Sequence, residues 1–145
     1  MPIAYRIDHE RKIVVACGYG LLTTADVFDY QRTVWSRQDV AGYDELADMT
    51  HVAAVDLPSA QRIRDLASMS ARMDVPDGGS RFAIVAPSDL TFGLGRMLQA
   101  YRAADERSTK TIGVFRTMAE ALVFLQLLDQ PLPPPLPSES GKAPG

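Results

Sequence analysis

The sequence predicts an α/β domain, a five-stranded mixed, mostly parallel sheet with four helices in the order β-β-α-β-α-β-α-β-α. Three observations carry this prediction. Two apolar, strand-like segments near the N-terminus are joined by a short polar turn, and a connection that short makes an antiparallel hairpin. Beyond them, apolar runs of strand length alternate with stretches of helical period, the pattern of right-handed crossovers in a largely parallel sheet. Residues 82–86 (Phe82, Ala83, Ile84, Val85, Ala86) are apolar throughout, as in a central strand buried on both faces.

In chain order, Ile3, Tyr5 and Ile7 alternate with Ala4 and Arg6, the period of a half-buried strand. Residues 8–11 make a polar turn, residues 12–17 a second strand, and Gly18, Tyr19 and Gly20 close it. Thr23 opens the first helix, with Asp26 three residues on in a capping-box position. Val27, Tyr30, Gln31, Val34 and Trp35 share one helical face, and residues 39–42 end the helix. Residues 46–49 form a short third strand. Asp56 is placed as N-cap of the second helix, with Pro58 tolerated in the first turn and Ile63, Leu66, Ala67, Ser70 and Met73 inside. After a turn at residues 75–80 comes the central strand, and residues 87–89 then cap a third helix whose inner face is Leu90, Leu94, Met97, Leu98 and Tyr101. Residues 111–115 are the last strand, and Thr117 with Glu120 caps a final helix reaching about residue 129. Residues 131–145 hold six of the ten prolines, so residues 1–129 read as the domain and 130–145 as a flexible, polyproline-II-like tail.

Composition narrows the function classes. A chain of 145 residues can bury a core without metals or staples. The net charge of −3, with twelve arginines scattered rather than clustered, argues against a nucleic-acid-binding domain. Cys17 is the single cysteine and falls in an apolar strand, so it reads as an inert buried thiol. Charge by Arg6 leaves no room for a signal-peptide core, and no apolar run approaches the ~20 residues of a membrane span. The expected address is cytoplasmic, with no membrane insertion.

The corner between the third strand and the second helix is the candidate switch or binding site: Asp48, Thr50, His51, Asp56 and Ser59. A strand-to-helix corner gathers free backbone N–H groups, and a histidine between carboxylates titrates near neutral pH. A plain surface-loop imidazole is the stronger reading of His51, and the same holds for His9 in the hairpin turn. Two histidines without a cysteine partner give no metal spacing, and no Gly-x-Ser-x-Gly elbow is present. Gly93-Leu94-Gly95 has part of the spacing of a phosphate loop but lies inside a helix. Each helical glycine costs up to ~1 kcal/mol against alanine, so close packing against a neighbour explains the pair better. No cofactor is expected.

Several phrases together resemble the SpoIIAA-like branch of the STAS/SEC14-like superfamily. They are the opening hairpin, Asp44-Glu45-Leu46-Ala47-Asp48-Met49-Thr50, the run Phe82 to Ala86, Gly93-Leu94-Gly95-Arg96-Met97 with Tyr101, and Val114 through Ala121. The resemblance covers about residues 3 to 128. It implies a regulatory or binding module without a cofactor, similar to anti-sigma-factor antagonists that bind partner proteins and are switched by phosphorylation. The switch of such domains uses an Asp-Ser-Ser-Gly-type segment; here Asp56-Leu57-Pro58-Ser59 keeps the acid, and Ser59 alone retains a hydroxyl.

Apolar residues beyond the inner faces supply the remaining functional signal. Phe92 points away from the Leu90, Leu94 and Leu98 face, and Val123, Phe124 and Leu127 extend the apolar face that Met118, Ala121, Leu122, Leu125 and Leu128 form. A helix apolar nearly all round calls for burial on more than one side. A homodimer face, cover from the tail and the wall of an apolar pocket are the options, in that order, and Phe92, Gly93, Arg96, Phe124 and Leu127 are the expected interface. The leading expectation is therefore a non-catalytic, cytoplasmic regulatory module that acts by protein contact as a homodimer. A carrier or sensor of a small apolar ligand or lipid, as SEC14-like relationship implies, comes second. An enzyme using His51 with Asp48 and Asp56 is a distant third.

Overall fold

The N-terminal hairpin forms one edge of a five-stranded sheet: β1 (Ile3–Asp8) runs antiparallel to β2 (Ile13–Leu22), pairing Ile3 with Gly18 and Asp8 with Ile13. The computed structural model describes residues 2–127, 132 and 134–136. From β2 the chain builds outward in sequence order through three parallel strands, β3 (Asp44–Val55), β4 (Arg81–Val85) and β5 (Thr111–Phe115), giving the order β1-β2-β3-β4-β5. Between them lie α1 (Thr24–Trp35), α2 (Ala60–Arg72), α3 (Asp89–Ala103) and finally α4 (Met118–Phe124). The fold class and the antiparallel edge strand are as the sequence predicts.

Three helix starts have physical causes visible in the sequence. Thr23 and Asp26 form a reciprocal capping box at α1, Ser88 accepts the Thr91 amide at α3, and Thr117 accepts the Glu120 amide at α4.

Side-chain alternation along the strands divides the core in two. Ile7, Val14, Ala16, Ala47, Phe82, Ile84 and Ile112 point to the face covered by α1, α2 and α3. Ile13, Val15, Leu46, Ala83 and Val85 point to the opposite face, where Ala121 and Leu125, with Phe115, Phe124, Leu127 and Leu132, close over them. Gly95 lets α3 lie directly on the sheet, since a Cβ there would sit 3.1 Å from Val114 and 3.7 Å from Ile84. Close packing thus accounts for Gly95, whereas Gly93 faces open space.

Several boundaries differ from the expectation. The second strand does not close at Gly18 to Gly20 but continues to Leu22, with register shifts between Cys17 and Tyr19 and between Gly20 and Leu21 absorbing the irregular residues. The third strand is twelve residues long, because residues 51–55 stay paired to β2 after β4 has ended. α1 stops at Trp35, and a separate 3-10 turn (Gln38–Val40) follows. α2 starts at Ala60 with Ser59, not Asp56, as N-cap. On α3 the buried positions are Thr91, Gly95 and Arg102, while Leu90 is 43% exposed: close backbone approach at Gly95 turns the helix so that the small residue, not the leucine, faces the sheet. α4 ends at Phe124 because Gln126 adopts a left-handed φ of 62° just beyond it. The predicted helical residues 128–129, Leu128 included, and tail residues 130–131, 133 and 137–145 lie outside the described residues. Of the tail's described part, Pro135 is buried and its carbonyl accepts the Tyr19 hydroxyl at 2.7 Å.

Candidate functional site

The predicted corner is extended strand as far as Val55, and only residues 56–59 form a loop before α2. Asp48 is buried, and its carboxylate accepts both the amide and the hydroxyl of Thr50. His51 is exposed and stacks on Tyr19 across the β2–β3 pair, with centroids 5.4 Å apart and planes 5° apart. Asp56 accepts the Thr24 amide at 3.0 Å and the Thr24 hydroxyl at 2.9 Å, which places it as an anionic partner at the N-terminus of α1, not of α2. Ser59 accepts the Arg62 amide at 3.1 Å. Each candidate is therefore taken up by a neighbour of its own. His51 is not brought onto either acid, so no acid-base set assembles here.

The expected interface residues are dispersed as well. Phe92 packs on the Ile84 and Ile112 cluster with the Arg116 guanidinium 4.1 Å from its ring. Phe124 lies against Phe115 (5.2 Å), and Leu127 joins the same cluster. Only Gly93 and Arg96 remain exposed. Much of the surplus apolar surface is thus spent inside the fold.

What the structure does assemble is a cavity of ≈ 160 Å³ between the sheet and the three helices α1 to α3. Its walls are apolar: Ala47, Met49, Phe82 and Ile84 from the sheet, Val27 from α1, Ile63 and Leu66 from α2, and Leu94 and Leu98 from α3. Thr23, Thr24, Val55 and Pro58 line one end, where the parallel strands finish and the helices begin. The helices run back against the strands, so Glu45 at the start of β3 meets Tyr30, Ser70 and Arg102 at the other end. Next to the first end, Leu57 is held at φ 36° and is 71% exposed, and Leu21 is 57% exposed.

The far end holds two buried ionic clusters that carry the most unusual electrostatics of the molecule. Glu45 is 3% exposed; its carboxylate accepts the Tyr30 hydroxyl at 2.8 Å and the Lys110 ammonium at 3.2 Å. The same ammonium lies 3.2 Å from the centroid of the Trp35 ring, a desolvated cation–π contact, and the Trp35 indole N–H donates to the Tyr30 oxygen at 3.3 Å. Burial pulls the Lys110 pKa below its ordinary value, against the opposing pull of Glu45 and Asp74. Burial, and after it the Glu45 charge, holds the Tyr30 phenol well above its ordinary value. In the second cluster Arg102 donates to Ser70, Ser108 and Asp74, and Asp74 also accepts the amides of Thr109 and Lys110. Cys17 is buried on the opposite face, and burial pushes its thiol pKa up, which suits an inert side chain. Among the described residues no group of three or more His, Cys, Asp or Glu side chains could hold a metal ion, and no helix is long and apolar enough to cross a membrane.

Tyr30, Trp35 and Ser70 lie on the inner faces expected of their helices, but the charged members Glu45, Asp74, Arg102 and Lys110 escaped the sequence reading. Glu45 sits inside a strand phrase and Lys110 lies 65 residues away, so nothing local pairs them. One signal was present: Glu45 is two residues before Ala47 and four before Met49 and therefore points to the same covered face of the strand.

No protein-family model matches the chain, and no curated protein sequence does. Among solved structures, the chain is similar to an uncharacterized protein from the DUF3478 family with a SpoIIAA-like fold from Shewanella loihica PV-4. That likeness has 21% identity and a TM-score of 0.50, and covers 85% of this chain and 93% of the other. A likeness to the murine Solute Carrier 26 family member A9 (Slc26a9) anion transporter in the inward-facing state has 16% identity and a TM-score of 0.46, covering 80% of this chain and 18% of that one. At the level of architecture, the resemblance read from the sequence holds: the chain has a SpoIIAA-like fold.

Proposed function

We propose that the protein is a non-catalytic binding module that senses or carries a small apolar molecule in the cavity between the sheet and α1 to α3. The observation that carries this reading is the cavity itself, ≈ 160 Å³ with walls of Val, Leu, Ile, Phe and Met. An engineered apolar cavity of about 150 Å³ in another protein takes up benzene, so this volume suits one ring or the end of a longer chain. The proposal reverses the order of the two leading expectations, because Phe92, Phe124 and Leu127 pack inward and leave a smaller surface for a dimer. It also leaves no part for His51 with Asp48 and Asp56, whose carboxylates are engaged by Thr50 and Thr24. A cytoplasmic address accords with the free, buried Cys17.

Titration of the full chain with para-xylene, followed by methyl NMR, tests the reading. Saturable shifts are expected for the methyls of Ile63, Leu66 and Leu98, with those of Ile13 and Val85 on the other face unmoved. Absence of any saturable shift overturns it. A second reading, regulation through contact with a partner protein, is favoured by exposed Leu21 and Leu57 beside the cavity end. Light scattering of the wild type against Leu21→Ser/Leu57→Ser tests its dimeric form: an unchanged monomeric mass in both removes the homodimer.

A further inference from the structure

An apolar cavity whose far end carries a buried carboxylate is a chemical filter as well as a container. Glu45 lines the cavity, and Tyr30 and Lys110, which donate to its carboxylate, approach from α1 and from the residue before β5. A carboxylate offers about four acceptor positions; two are used here, by one phenol hydroxyl and one ammonium. Arg102, the other charged residue lining the cavity, has its donors turned to Ser70, Ser108 and Asp74 and so presents little to a ligand. Of the two charged residues that line the cavity, the one left to a ligand is therefore an acceptor.

Replacing a buried ion pair with apolar side chains of similar volume is often neutral or stabilising. Glu45 and Lys110 are thus not explained by stability alone. A few polar groups in an otherwise apolar pocket set the orientation and identity of what binds.

We propose that Glu45 is the specificity-determining residue of the cavity, selecting apolar molecules that carry a hydrogen-bond donor at one end, such as a phenol, alcohol or amine, and excluding carboxylates. The proposal rests on the cavity being a binding site. In the bound arrangement the donor reaches a free lone pair of Glu45, and the hydrocarbon body lies along Ala47, Phe82, Leu66 and Leu98. A carboxylate of similar shape would place like charges together within a buried space, which is costly.

The test uses three probes on the full chain, 4-methylphenol, its methyl isostere para-xylene, and benzoate, each titrated by methyl NMR. In the wild type both neutral probes bind and benzoate does not. In the double variant Glu45→Leu/Lys110→Met the acceptor is gone and no charge is left alone. The ratio of the para-xylene Kd to the 4-methylphenol Kd is then expected to fall at least about tenfold, the size of one hydrogen bond to a charged group. Comparing ratios cancels the difference in hydrophobicity between the probes. A ratio unchanged within about threefold, or benzoate binding the wild type more tightly than 4-methylphenol, overturns the role of Glu45 and leaves the cavity reading intact if para-xylene still binds. Failure of both neutral probes removes the cavity reading and this proposal together. Should the double variant not fold, Glu45→Gln serves instead: with the Lys110 charge left uncompensated, benzoate is expected to enter, and its continued exclusion overturns the proposal.

Discussion

The two faces of the sheet use the same strands and the same alternation, yet they end up as different materials. On one, α4 together with Leu125, Leu127 and Leu132 beyond it closes over Ile13, Val15, Leu46, Ala83 and Val85, and the Phe115–Phe124 pair packs beside them. On the other, three helices arch over Ala47, Phe82 and Ile84, leaving a cavity with Glu45, Lys110 and Arg102 buried at one end. The first face is a closely packed apolar core whose one buried carboxylate among the described residues, Asp48, is met by Thr50 of its own strand. The second forgoes packing and takes on desolvated charge. In a marginally stable domain, such concessions concentrate where a molecule does its work.

The sharpest way to break that contrast is to leave one buried charge alone. Lys110→Met strands Glu45 and is expected to cost about 3–5 kcal/mol, whereas adding Glu45→Leu should bring the protein back to near wild-type stability. Urea unfolding of the two variants measures the difference; equal loss in both would mean that the pair contributes real stability and is no concession. Next in size is a matched truncation on the two faces. Leu46→Ala empties a filled core and should cost about 2–5 kcal/mol. Leu94→Ala removes a side chain that already borders a void, and calorimetry should find a smaller loss. If both cost the same, the cavity face is as tightly packed as the other. The smallest effect is in pH. Because the folded-state pKa of Tyr30 is raised, the unfolded chain gives up that proton first, near pH ~10. Stability present below that pH is then lost as pH rises through the folded value. A spectrophotometric titration should find one phenol resisting ionisation, and Tyr30→Phe should abolish it and flatten the alkaline decline in stability.

How much of this was legible in the sequence follows the same division. The filled face was readable because it obeys local rules. Strand period and apolar runs located β1, β4 and β5, and the capping residues Thr23, Ser88 and Thr117 located three helix starts. The corner was misread because Asp56 and Ser59 are both good N-cap residues three apart. Which one caps α2 is decided by Thr24, 32 residues away, which claims Asp56 for α1. The length of β3 was hidden for a related reason: its last residues pair only with β2, and His51, Ala53 and Ala54 are exposed while Val52 and Val55 are half-buried, so the continuous apolar signal of a central strand is absent. Hydrophobicity alone points Leu90 inward, whereas the flat surface of Gly95 decides the rotation of α3. Glu45 with Lys110, and Arg102 with Asp74, are pairings that only the assembled sheet brings about.

The extension of β2 and β3 beyond their neighbours also has a kinetic meaning. Residues 19–22 and 51–55 lean on one another, with no further strand outside either edge among the described residues, and the Asp56 bond to Thr24 fastens the end of this ribbon to α1. Amides whose protection rests on one partner strand open by small local fluctuations, long before the central strands do. Hydrogen exchange should therefore proceed from this ribbon inward, with the amides around Val52 and Leu22 exchanging ahead of those of Leu46 and Ile84. The end of the cavity that borders Val55 and Pro58 would then loosen and close many times in the lifetime of a sheet that stays intact.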